Sequence, residues 1–169
     1  MTERGFMKLT RRFILLYTGT FALLLRGGLF FVYMASPFRF FHKVPGLDME
    51  TLLRFSEWGP GREFSPLFVV HRFLIYFVWL INGKEHCVPA VIVLQCFSGI
   101  AGAMLTADLA LMLWGKRKIA LAAGIFYGLY PVTLLYDFCV LQESVTTTLI
   151  LLGVWSFFKC RSSHFSSKS

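Results

Sequence analysis

Few side chains in this sequence have the types and spacing that chemistry requires, and most of them are carboxylates gathered in two stretches. Asp48, Glu50, Glu57, Glu63 and Glu85 fall in one segment and Asp137 and Glu143 in another, leaving only Glu3 and Asp108 elsewhere among the nine acids. A carboxylate can act as general base toward a hydroxyl, share a metal ion or balance a cation. Asp48 follows the turn signal Val44-Pro45-Gly46-Leu47 and stands where a helix N-cap is expected. Capping and chemistry therefore compete for it, and one residue can do both. Glu143, with Asp137 as the weaker alternative, reads either as a hydrated carboxylate at the end of an apolar run or as a functional group. His71 and Arg72 are the cations inside the apolar run 66–81. There Arg72 either snorkels to headgroup phosphate or binds substrate.

Other reactive types carry less. Cys87, Cys96, Cys139 and Cys160 form no C-x-x-C pair and show no metal-ligand spacing. Cys87 and Cys139 read as packing residues, with a disulfide as the alternative. Glu85-His86-Cys87 holds ligand types, but three adjacent residues rarely converge on one ion, so the stretch reads as a solvated turn. Arg26 interrupts an apolar run, where a basic residue costs roughly 2.5–3.5 kcal/mol at mid-membrane. It is expected to face the bundle interior and to reach Glu143. Asp108, nearer the opposite end of its run, is not expected to be its partner.

The elements that must position these residues are apolar helices. The 169 residues are 56% apolar and 15% charged, with 19 Phe, and the mean hydropathy is +0.64. Soluble domains carry nearly twice that charged fraction, so the composition predicts an all-α integral membrane protein. The net charge of +8 does not point to nucleic acid, because the basic residues sit in short clusters between apolar stretches. A hydrocarbon core of about 30 Å takes roughly 20 helical residues. That length predicts four transmembrane helices over about 13–35, 88–114, 119–136 and 138–158. The first is a retained span: it outruns a secretory signal and no cleavage site follows. Gly124-x-x-x-Gly128 marks close helix packing.

The run 66–82 is shorter than a comfortable span and contains His71 and Arg72. Three basic clusters, Arg4/Lys8/Arg11/Arg12, Lys116/Arg117/Lys118 and Lys159/Arg161/Lys168, all belong on the cytoplasmic side. An even number of crossings must then separate each neighbouring pair, so 66–82 should lie along the interface as an amphipathic helix. A second juxtamembrane helix is expected over about 48–58, ended by Gly59-Pro60-Gly61. The layout is a basic cytoplasmic N-terminus (1–12), a transmembrane module (13–158) with an outer loop (36–87), and a polar cytoplasmic tail (159–169). The acidic side is the outer side.

In order and spacing the chain offers Asp48, Ser65-Pro66-Leu67-Phe68, and Leu94-Gln95 with Gly99 and Gly102. It continues with Trp114-Gly115-Lys116-Arg117-Lys118, Ala120-Leu121-Ala122-Ala123-Gly124, and Tyr130-Pro131 through Tyr136-Asp137 to Gln142-Glu143. Over most of residues 12–158 this resembles the amino-terminal part of polytopic glycosyltransferases that use lipid-phosphate sugar donors. That group includes the protein O-mannosyltransferases, the aminoarabinose transferases and the bacterial family-39, dolichyl-phosphate-mannose mannosyltransferase-like proteins. The resemblance implies glycosyl transfer at the outer membrane face from a polyprenyl-phosphate sugar. Asp48 matches the family's loop acid and is expected to be the general base, and Glu143 matches its second acidic position. There Glu143, or Asp137 in its stead, is expected to orient the acceptor, share a divalent metal ion with Asp48 or balance a cation. Arg72 and His71 are candidates for the leaving lipid phosphate by position alone, because a departing phosphate calls for cationic or metal stabilisation.

Such enzymes have many more spans. The chain is accordingly expected to be the front of a truncated or split enzyme, inactive alone and completed by a second chain, or a free-standing non-catalytic protein that binds a lipid-linked sugar or a membrane partner. A bacterial inner membrane is the expected location. Four spans with no charged pathway beyond Arg26 argue against a transporter or channel.

Overall fold

The computed structural model describes residues 3–37, 69–139 and 143–166, and among them all regular structure is helical. The helices are α1 (Glu3–Ala35), α2 (Val69–Trp114), α3 (Arg117–Leu129), α4 (Pro131–Phe138) and α5 (Glu143–Ser166). The helix α2 is central and packs against each of the other four. α1 also lies on α3 and α4, whereas α5 leans on α2 and α4.

Small residues let the backbones approach. Ile14, Ala107, Ala110 and Ala120 form one buried cluster joining α1, α2 and α3. A Cβ on Gly124 would stand 2.7 Å from Thr18 Cγ2, 2.9 Å from Ala107 Cβ and 3.2 Å from the Ala103 carbonyl oxygen, so three helices meet at that glycine. This is the close packing that the Gly124-x-x-x-Gly128 spacing predicts. Large apolar side chains, Leu24 and Phe31 on α1, Phe97 on α2, Phe126 on α3 and Phe157 on α5, point outward instead. An apolar exterior over a core that contains Arg26, Gln95, Asp108 and Asp137 suits hydrocarbon surroundings rather than water.

Two helical stretches, Thr10–Ala35 and His86–Trp114, are long and apolar enough to cross a membrane, and a third counts if α3 and α4 form one bent span. On this basis the chain is a helical membrane protein. The expected third span is not a straight helix. Pro131 cannot continue α3, because it lacks an N–H and restricts the residue before it. It opens α4 at N1 instead, and the two axes diverge by 48°. The expected fourth span also shifts: Phe138 closes α4, and α5 begins at Glu143 and runs on to Ser166. Its first turns carry Glu143, Ser144, Thr146, Thr147 and Thr148, which dilute its hydropathy, so it is not among the helices apolar enough to be a span by that measure.

The ends of the layout are likewise helical. α1 starts at Glu3 and α5 runs to Ser166, so residues 3–12 and 159–166 continue those two helices. The helix resumes directly after Gly83, whose φ of 71° and ψ of 175° break α2 into two arms. Glu85, His86 and Cys87 are thus helical rather than a turn, and Cys87 is buried in a cluster with Ile75, Val78 and Val91. Twelve residues along one straight helix would separate Ile75 from Cys87 by about 18 Å. Yet Cys87 Sγ lies 3.9 Å from the Ile75 carbonyl oxygen. The chain therefore doubles back at Gly83, and the short apolar arm Phe73–Gly83 rests against the start of the span that follows. The expected helix over 48–58 lies outside the described residues.

Candidate functional site

The polar residues converge on one layer of the bundle, built from α1, α2, α4 and α5. Arg26 enters from α1, where its guanidinium is almost fully enclosed, with 1% of the side chain exposed. Its Nε donates to Asp137 Oδ2 at 2.7 Å, and Asp137 is equally buried. Gly99 of α2 makes room for the pair, since a Cβ there would lie 2.5 Å from Arg26 Nε and 2.6 Å from Nη2. The expected partner of Arg26 was Glu143, and Asp137 takes that place. The bend at Tyr130–Pro131 redirects α4, and with it Asp137. Arg26 Nη1 and Nη2 are buried and have no hydrogen-bond partner among the described residues.

Asp137 also ties down the start of α5. The Ser144 hydroxyl donates to Asp137 Oδ1 and lies 3.4 Å from the Gln95 carbonyl oxygen. Ser98 Oγ donates to the Ser144 carbonyl oxygen at 3.4 Å, and Thr148 Oγ1 donates to the Ser98 carbonyl oxygen at 3.0 Å. Four polar contacts thus fasten the first turns of α5 to α2 and α4. Tyr127 of α3 packs over Gly102, where an added Cβ would meet its ring at 2.8 Å.

Glu143 opens α5, where the helix N-terminus favours a negative charge. Its Oε2 is buried and has no hydrogen-bond partner among the described residues. It therefore keeps hydrogen-bonding capacity that Asp137 has already spent on Arg26 and Ser144. His71 and Arg72 lie in the first turn of α2, and their side chains fall outside the described residues, as does Asp48. No group of three or more His, Cys, Asp or Glu that could hold a metal ion occurs among the described residues.

A second charged junction lies about 22 Å further along α1, at 1.5 Å per residue. Arg11 grips Asp108 with both arms of its fork, Nε to Oδ1 at 2.6 Å and Nη2 to Oδ2, and Trp155 Nε1 donates to Asp108 Oδ2 at 2.7 Å. This joins α1, α2 and α5. Lys159 Nζ sits 4.2 Å from the centre of the Trp155 ring.

Several of these residues escape sequence reasoning. Ser98, Ser144 and Thr148 are ordinary helix residues by spacing, and only their meeting across helices gives them a role. Gln95 could be singled out as a polar residue within an apolar run. No protein-family model, no curated protein and no solved structure matches this chain.

Proposed function

We propose that the chain is a membrane module of a glycosyltransferase that takes its sugar from a polyprenyl-phosphate donor and transfers it to an acceptor hydroxyl at the outer membrane face. The module has four spans, with α3 and α4 together as the third and α5 as the fourth. Both termini face the cytoplasm of a bacterial cell, and further helices come from a second chain. Asp48 is the general base. Arg72 and His71 stand near the leaving phosphate, and Glu143 orients the acceptor or shares a divalent metal ion with Asp48.

The observation that carries this reading is the state of Glu143. Its carboxylate sits at the head of a helix that is fastened by four polar contacts, while its Oε2 has no partner among the described residues. A carboxylate held in place with unused acceptor capacity suits a group that meets a substrate hydroxyl or an ion. The fold-back at Gly83 adds support, because a short apolar arm feeding a long span is the layout the resemblance implies.

One observation favours a second reading, a non-catalytic membrane protein that binds a lipid-linked sugar or a membrane partner. Asp137 is consumed by internal pairing with Arg26, so that carboxylate serves assembly rather than chemistry. Sugar transfer from a radiolabelled polyprenyl-phosphate donor, measured in membranes that contain the chain and its partner chain, separates the two. Asp48→Asn is expected to abolish transfer while the protein accumulates normally. Transfer that survives Asp48→Asn unchanged would rule out the catalytic assignment and leave the second reading.

A further inference from the structure

The buried ion pair lies next to Glu143 in the chain of contacts, and the geometry points to a positioning role for it: Arg26 and Asp137 act through Ser144 to set where Glu143 is presented. This rests on the proposed role of Glu143 and adds the residues that hold it.

The linkage can be followed atom by atom. Arg26 Nε holds Asp137 Oδ2 at 2.7 Å, which leaves Oδ1 of the same carboxylate to accept from the Ser144 hydroxyl. Ser144 stands seven positions after Asp137, and the hydrogen bond joins the last turn of α4 to the first turn of α5. Glu143 immediately precedes Ser144, and its Oε2 has no hydrogen-bond partner among the described residues. Its carboxylate depends on the backbone that Ser144 anchors, a backbone also gripped from α2 by Ser98. Gly99 is the accommodating element on α2, since any Cβ there would push Arg26 away from Asp137.

Charge explains why an arginine is used. A lone carboxylate at 1% exposure would be strongly disfavoured as an anion. Arg26 offsets part of the cost of burying that carboxylate through Oδ2, while Oδ1 accepts from the Ser144 hydroxyl. The planar guanidinium also fixes the direction of approach through Nε, which an ammonium group cannot reproduce.

The test measures the position of residue 143 without reference to activity. In the full chain in its membrane, Glu143→Cys is modified with a membrane-impermeant thiosulfonate, and the rate is followed by mass mapping of the labelled peptide. Ser144→Ala removes the hydroxyl and leaves the ion pair, and Arg26→Lys keeps the charge and loses the Nε geometry. Each is expected to raise the rate at position 143 by roughly fivefold, the factor that one lost net hydrogen bond produces. Arg11→Lys, which weakens the remote junction with Asp108, should leave that rate unchanged and controls for general loosening. Equal rates in the parent, Ser144→Ala and Arg26→Lys chains would overturn the proposal, and so would an increase of the same size from Arg11→Lys. The sugar-transfer assay fails or succeeds independently: transfer lost on Asp48→Asn with no change in labelling would sink the positioning role alone.

Discussion

Arg26 and Asp137 stand 111 residues apart in sequence, yet they meet through a 2.7 Å hydrogen-bonded ion pair that is closed off from the surroundings. Breaking a buried pair by removing one partner strands the other charge and costs about 3–5 kcal/mol, whereas replacing both by apolar groups is often neutral. Arg26→Met and Asp137→Leu are each expected to lower the midpoint of thermal unfolding in detergent sharply, and the double variant should recover most of the loss. Additive losses in the double variant would show that the two side chains are not coupled.

Glycine spacing makes a finer prediction about helix packing. A Cβ at Gly99 collides with Arg26, and one at Gly124 collides with Thr18 and Ala107. At Gly27 an added Cβ meets nothing within 4 Å. Overpacking of this kind typically costs about 1–3 kcal/mol, so Gly99→Ala and Gly124→Ala should destabilise by that amount. Gly27→Ala should be neutral or slightly stabilising, because alanine is the better helix former. The three variants compared by unfolding midpoint check the order.

The Asp108 junction can be read by fluorescence. The Trp155 indole donates to a nearly buried carboxylate that Arg11 also grips. Trp155→Phe keeps an aromatic side chain but loses the indole and its N–H donor, and a hydrogen bond to a charged group contributes about 1.5–3 kcal/mol. Asp108→Asn should shift the Trp155 emission as the charge beside the indole disappears, and should release α1 and α5 from α2 together. An emission spectrum unchanged by Asp108→Asn would mean that the indole does not sense that carboxylate.

How much of this was legible in the sequence depended on range. The end of the apolar run at residue 82 is a local signal and falls beside Gly83, where the helix breaks, whereas Pro131 is an equally local signal that the expected span 119–136 ran through. The helix ends are less local. Lys8, Arg11 and Arg12 look like a solvated cluster until Asp108 supplies a partner for Arg11 from 97 residues away. The choice between Asp137 and Glu143 as the partner of Arg26 was the hardest case. Asp137 lies near the end of α4, which is bent by 48° from α3, and Glu143 opens α5, so the direction of α4 sets whether Asp137 reaches α1. Residue spacing has no access to that angle. Ser144 shows the same limit, because a serine in an apolar helix is unremarkable until another helix presents a carboxylate to it.

The fold-back at Gly83 yields the last prediction. Its φ of 71° with ψ of 175° lies in a region open essentially to glycine alone, so asparagine, which tolerates the ordinary left-handed region, gives no rescue there. Gly83→Ala and Gly83→Asn should both cost about 1–3 kcal/mol, the usual strain of that conformation, and the chain should relieve it by swinging the short arm off the span. Cys87 reports the movement: it is buried under Ile75 and Val78 while the arm is docked. Maleimide labelling of Cys87 in membranes, followed by peptide mapping, is expected to be slow in the parent chain and much faster in both variants. If Gly83→Asn labels as slowly as the parent, the doubled-back arm does not require this glycine.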